Sequence, residues 1–334
     1  MTNETKIYYE ADLDPKWLDG KVIAIIGYGA QGRAHALNLR DSGCQVVVGQ
    51  RRPGDGFAAA VADGFQPISI ELAARQADLI NVLLPDEVHG EVFKRSIAPH
   101  LEEGDVIMTC HGFSFHYGLI QPKTGIDRLL VAPKGQGHMV RGEYLRGGGV
   151  PCLIATDENA CPSTFQMGLA YAAALGGAKA GILQTTIAAE TETDLFGEQA
   201  VLCGGLTALV QAGFDTLVEA GYQPELAYFE CLHELKIIAD LLHSKGIEEM
   251  RAAISNTAEF GDYISGPRVI DARVRENMRA VLNEIRDGSF ARRFIAQHDD
   301  GDRELQRYRQ QNRQSLIENV GTRLRRMMPW LRDK

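Results

Sequence analysis

The sequence predicts an α/β domain followed by an all-helical domain, and three observations carry that division. An apolar run enters a glycine-rich turn at residues 21–32. Further short apolar runs alternate with helical segments as far as residue 186. From Ile187 onward the strand pattern gives way to long apolar helices. The expected bounds are therefore 1–186 and 187–334. A chain of 334 residues is long enough for two cores, and 45% hydrophobic with 24% charged residues is ordinary globular composition.

Taken in order, residues 1–19 read as irregular, with Tyr8, Tyr9 and Trp17 covering an edge of the α/β domain. Residues 21–26 form an apolar strand pattern that enters Gly27, Tyr28, Gly29, Ala30, Gln31 and Gly32, after which residues 33–40 have helical spacing and Gly43 ends them. Gly27 permits the turn, Gly29 lets a pyrophosphate approach the backbone, and Gly32 lets helix and strand pack closely, with the helix N-terminus facing the anion. Residues 45–49 supply the second strand that a Rossmann-type domain requires. At its end an NAD site usually has an acid for the ribose 2′-hydroxyl, but here Arg51 and Arg52 are placed to meet a 2′-phosphate. This favours NADPH, with NADH as the alternative through Asp55. Strand patterns follow at 65–70, 78–85, 105–111, 128–134, 150–155 and 180–184, with a helix at 160–175. Such apolar strands indicate a mostly parallel sheet whose ligands gather beyond the strands' carboxyl ends. Asp86, His111 and Lys134 follow those ends directly and are candidate site residues.

In the second half, helices are expected at about 188–220, 225–243, 246–258, 271–286 and 301–325. The 255–268 stretch, rich in hydroxyls, Gly and Pro, reads as a connector or substrate loop. Asp194 and Glu198 are four apart, as are Glu230 and Glu234, so each pair shares a helix face. At 100° per residue the first pair falls with Val201, Leu202, Gly205 and Leu209, and the second with Leu226, Ile237 and Leu241. Both pairs are therefore expected on the core side. Like charges about 6 Å apart repel by roughly 3 kcal/mol at an effective dielectric near 20, so four carboxylates on apolar stripes need cations. An all-carboxylate set, with only His233 nearby, favours Mg²⁺ or Mn²⁺ over zinc.

The net charge of −9 and pI near 5.5 argue against a nucleic-acid partner. The six cysteines lack C-x-x-C spacing and read as buried thiols in a reducing, cytoplasmic compartment. The start of the chain has no apolar leader, and the longest uncharged run, 199–214, reads as too short and Gly-rich for a membrane span.

The phosphate loop comes first, followed in order by His111-Gly-Phe, Pro133-Lys134-Gly-x-Gly137-His138, Glu190-Thr-Glu-Thr-Asp-Leu-Phe-Gly-Glu198, Glu230-Cys-Leu-His-Glu234 and Ser255-Asn-Thr-Ala-Glu. With these motifs the chain closely resembles the short, class I ketol-acid reductoisomerases from about residue 20 to Leu331. The resemblance implies alkyl migration on 2-acetolactate or 2-aceto-2-hydroxybutyrate, then NAD(P)H reduction to the 2,3-dihydroxy acid of branched-chain amino-acid synthesis. It implies two Mg²⁺ held by Asp194, Glu198, Glu230 and Glu234, an active-site His111 and Lys134, a substrate-binding Ser255, and Gly137 beside the cofactor. It also implies a knotted helical domain and a homodimer with active sites shared between chains. Ala30, Arg33 and Gln136 depart from the family's usual Ser, His and Pro, and the 51–57 loop lacks its usual serines. Two rival readings are a metal-independent NADP-dependent hydroxyacid or imine dehydrogenase, and an inactive nucleotide-sensing protein.

Overall fold

A computed structural model describes residues 5–331, so the first four residues, part of the start expected to carry no leader, lie outside it. By internal packing the chain separates into two compact units, Met1–Thr193 and Asp194–Lys334. The change of secondary structure near residue 186 thus precedes the change of packing.

In the first unit the strands are β1 (Ile7–Tyr8), β2 (Val22–Ile26), β3 (Gln45–Gly49), β4 (Leu79–Val82), β5 (Val106–Thr109), β6 (Asp127–Pro133), β7 (Cys152–Thr156) and β8 (Ile182–Gln184). They form one sheet in the order β1-β8-β7-β6-β5-β4-β2-β3. Strands β3, β2, β4, β5 and β6 run parallel, while β7 is antiparallel to β6 and β1 antiparallel to β8. The stretch expected to be irregular thus contributes an edge strand. The chain leaves β2 for β3 on one side and returns to β4 on the other, which opens the switch-point crevice between β2 and β4. The helices are α1 (Ala30–Asp41), α2 (Asp55–Ala62), α3 (Ile70–Gln76), α4 (Asp86–Val92), α5 (Phe113–His116), α6 (Gly137–Leu145) and α7 (Pro162–Ala174). Buried Ile23, Ile25, Leu79 and Met108 form one face of the sheet's core, and Ile26, Ile80 and Ile107 the other.

The strand expected at 65–70 does not form. Only a single bridge joins Ile68 to Gly49, because Pro67 has no N–H to give and Ser69 already caps α3, its Oγ accepting from the Leu72 N–H at 3.2 Å.

Helix α8 (Ile187–Phe196) leads into the second unit, which holds α9 (Gly204–Glu219), α10 (Pro224–Tyr228), α11 (Leu235–Ala253), α12 (Asn256–Val269), α13 (Ala272–Arg286), α14 (Ser289–Asp299), α15 (Arg303–Arg313) and α16 (Leu316–Arg326). Its core is small: Val210 and Phe214 of α9, Ala227 and Tyr228 of α10, and Ile317, Val320 and Leu324 of α16. Gly321 brings α16 against the Tyr228 ring, where a Cβ would lie 2.5 Å from Cε2. The expected turn-rich connector at 255–268 is helix α12, started by Ser255, with Pro267 confined to its last turn. The single helix expected at 301–325 is two, broken at 314–315, and α14 is an additional helix between 289 and 299. The continuous run Ile187–Glu219 is long and apolar enough to cross a membrane by length and composition alone, a test that an ordinary core helix also passes.

Candidate active site

At the switch point, two of the three glycines of the phosphate loop have a steric reason. Gly27 has φ +101°, and a Cβ on it would lie 2.6 Å from the Leu83 carbonyl oxygen; a Cβ on Gly32 would lie 2.2 Å from the Gly27 oxygen. Gly29 is the N-cap of α1 and faces open space, which leaves its backbone accessible to an anion. Gln31 donates to the Gly135 carbonyl at 2.9 Å, and a Cβ on Gly137 would lie 2.2 Å from the Ala30 oxygen. Gly137 therefore lets α6 abut the loop. The Tyr28 side chain is buried and donates to Asp63 at 2.9 Å, and Arg33 clasps the same carboxylate at 2.6 and 2.8 Å. Arg33, which departs from the family pattern, is thus an anchor of the loop's helix. Arg51 and Arg52 are exposed, with Arg52 stacked 4.2 Å over the Phe57 ring, and Asp55 opens α2.

Asp86 begins α4, and burial raises its carboxyl above the usual range. Its neighbour His89, which sequence reasoning missed, is buried and bonded at both ring nitrogens, to the Ser114 hydroxyl at 2.6 Å and the Leu84 carbonyl at 2.8 Å. Beyond β5 and β6, His111 and Lys134 converge on Glu190 of α8. Glu190 is 1% exposed, and its oxygens lie 2.9 Å from Lys134 Nζ, 2.9 Å from the Gly112 N–H and 3.3 Å from His111 Nδ1. Burial opposes its ionisation, but the bonds from His111 and Lys134 outweigh that and hold its carboxyl below the usual range. Gly112 is required here, since a Cβ would lie 2.1 Å from Thr191 Oγ1. Glu190 was visible in sequence as the first acid of its motif, one turn before Asp194, yet only the fold identifies it as the group that holds His111 and Lys134.

Two of the four acids stand where the helices widen. Glu198 lies in a π-helical turn, Gly197–Leu202, and Glu230 in another, Phe229–His233, with Glu234 just beyond. The i+5 bonds are explicit: Cys203 N–H to Glu198 O at 2.9 Å and Glu234 N–H to Phe229 O at 3.1 Å. Such turns recur at functional sites. The expectation that both pairs face the core of their own chain is not met. Asp194 is half-buried and the other three are exposed, together with Val201 (50%), Leu209 (49%), Leu226 (52%) and Ile237 (59%). Those three acids and the apolar residues placed with them are exposed together, so what fails is not the shared stripe but the assumption that an apolar stripe is packed within one chain. Ser255 is exposed at the start of α12, its Oγ accepting from the Ala258 N–H at 3.2 Å.

Residues 187–330 match the family described as ketol-acid reductoisomerase, C-terminal domain, and residues 17–181 match acetohydroxy acid isomeroreductase, NADPH-binding domain. The chain is 40% identical to an NADH-preferring ketol-acid reductoisomerase from an uncultured archean, with a TM-score of 0.93 over 97% of this chain and 99% of that one. A semialdehyde dehydrogenase NAD-binding protein from Cupriavidus necator (20% identity, TM-score 0.59, covering 80% of this chain and 99% of that one) is alike in fold alone. The same holds for a pyrroline-5-carboxylate reductase from Coxiella burnetii (13%, 0.54, 80% and 98%). Two matched domains in the expected order and a near-complete structural counterpart agree: the chain belongs to the ketol-acid reductoisomerase family and is an NAD(P)-dependent oxidoreductase and isomerase.

Proposed function

We propose that this chain converts 2-acetolactate or 2-aceto-2-hydroxybutyrate, by alkyl migration and then reduction, into 2,3-dihydroxyisovalerate or 2,3-dihydroxy-3-methylvalerate for branched-chain amino-acid synthesis. The observation that carries the reading is the carboxylate set of Asp194, Glu198, Glu230 and Glu234, which a metal-independent dehydrogenase would have no use for. Oxygen donors without a thiol fit Mg²⁺, and the glycine cradle ahead of α1 fits a dinucleotide pyrophosphate. When bound, two Mg²⁺ would supply Lewis acidity toward the substrate's hydroxyl and carbonyl oxygens, and NADPH would supply the hydride.

The rest falls to the chain's own residues. Buried Glu190 holds the Lys134 amine and the His111 ring in fixed positions as polar contacts for the substrate, and Ser255 adds a hydroxyl. Arg51 and Arg52 meet the 2′-phosphate of NADPH, while Asp55 is the group through which NADH would be accepted. The open apolar faces of α9 and α11 are covered by a second copy of the chain, so that Asp194 and Glu198 of one chain act with Glu230 and Glu234 of the other. The test is NADPH oxidation with 2-acetolactate. Turnover should need Mg²⁺ and stop in excess chelator, and full activity in chelator would overturn the reading.

A further inference from the structure

We propose that Arg95 is a specificity-neutral wall of the adenosine subsite: its guanidinium stacks on the adenine ring, while discrimination at the 2′ position belongs to Arg51 and Arg52 across the cleft. The proposal rests on the dinucleotide reading above. The Gly27 N–H donates to the Gly49 carbonyl at 3.1 Å, so the phosphate loop lies beside the end of β3. A dinucleotide with its pyrophosphate on that loop sends its adenosine past Gly49 into a cleft of about 730 Å³. Arg51, Arg52 and Phe57 line one side of it, Ile68 and Ile70 are among its apolar lining, and Val92 and Arg95 line it from the helix after β4.

Arg95 stands in a third π-helical turn, Phe93–Ile97, which continues α4. The turn packs against α3, where the hydroxyl of buried Ser96 helps hold the Glu71 carboxyl below its usual range. Arg95 itself is exposed and, among the described residues, is paired with Glu91, at 3.6 Å and one turn earlier. That carboxylate decides between two roles for the guanidinium. A phosphate dianion placed at Arg95 would also meet Glu91 and be repelled, whereas a neutral aromatic base meets no such cost. A planar guanidinium stacks on such a base. The apolar side chains among the lining suit the base as well.

The test is titration calorimetry of the full-length protein with ADP and with 2′,5′-ADP. Arg95→Ala should weaken both by about fivefold, the strength of an exposed cation–π contact, and leave their ratio unchanged. Arg95→Lys keeps the charge but not the plane and should recover little of the loss. Unchanged binding of both nucleotides, a loss confined to 2′,5′-ADP, or full recovery by lysine would each overturn the assignment. Failure of the unaltered protein to bind either nucleotide would overturn the dinucleotide reading as well, which separates the two failures.

Discussion

The two units use apolar residues in opposite ways. In the first, the side chains that sequence patterning places inside are inside, and polar groups that go in with them are mostly bonded: Asn81 donates to Tyr171 at 2.8 Å, and the Tyr171 hydroxyl meets His35 at 2.9 Å. In the second, α12 buries none of its described residues, and Leu226, Ile237 and Phe260 stand open. Exposed apolar surface forgoes about 25 cal/mol per Å², so helices this apolar are stable arrangements only if something covers them. A unit whose core closes on itself can be judged from one chain. A unit whose faces are open cannot be judged from one chain, and the proposed chemistry resides on those faces.

The largest effect expected from breaking this contrast is at Asp194. Asp194→Asn should abolish turnover while leaving NADPH affinity unchanged by calorimetry, because the nucleotide is bound by the self-contained unit. A parallel loss of nucleotide binding would mean that the two functions are not separable. Next is complementation. Asp194→Ala and Glu230→Ala chains, each inactive, are unfolded together and refolded. If the two acids of one site come from different chains, each mixed dimer gathers both lesions in one site and keeps the other intact. Random pairing then returns about a quarter of full activity. Mixed dimers that stay inactive would place all four acids in one chain.

Legibility in the sequence divides between local and distant causes. The phosphate loop was readable because its glycine spacing is itself local, Gly32 meeting the Gly27 carbonyl only five residues earlier in the same turn. The Phe65 to Ile70 segment looks like a strand only while its apolar content is weighed above Pro67 and the Ser69 cap. Helix α12 was hidden by Gly261, Gly266 and Pro267, residues that tertiary context tolerates in a helix but propensity does not favour. The role of Glu190 was out of reach, since its partners Gly112 and Lys134 are 78 and 56 residues away. The π turns at Glu198 and Glu230 left no periodic signal that a fixed 100° step could detect.

Within the first unit, Gly137→Ala tests how closely α6 is fitted to the phosphate loop. The new methyl would meet the Ala30 carbonyl, so the substitution should cost about 1–3 kcal/mol in urea unfolding and weaken NADPH binding together. Loss of stability without loss of binding would show that the loop keeps its shape when α6 moves. A smaller effect is expected at the mouth of the site. Arg51→Ala with Arg52→Ala should raise the KM for NADPH about tenfold and that for NADH little, since only NADPH offers a phosphate to a guanidinium. An equal change for both, or an initial preference for NADH, would move the selection to Asp55.

The smallest effect concerns Asp63, where Arg33 fastens the N-terminal turns of α1 to the end of α2. The Arg33 bond, helped by the Tyr28 hydroxyl, holds the Asp63 carboxyl below the usual range against the opposing effect of burial. A carboxyl whose folded pKa is depressed contributes stability that is fully present above its unfolded value, near 3.9, and is lost as the pH falls through the folded value. Asp63→Asn keeps a partner for Tyr28 but removes the charge. It should therefore cost about 0.5–1 kcal/mol at pH 7, the usual worth of a surface ion pair, and nothing measurable once acid has protonated the carboxyl in both states. Salt should narrow the gap at pH 7 for the same reason. Denaturation of both proteins at pH 7 and at a series of pH values falling below 3, through the folded value of the Asp63 carboxyl, decides it. A gap that persists in acid would assign the effect to lost packing at the end of α2, and the arginine in the position after Gly32 would then have no electrostatic role in holding the loop.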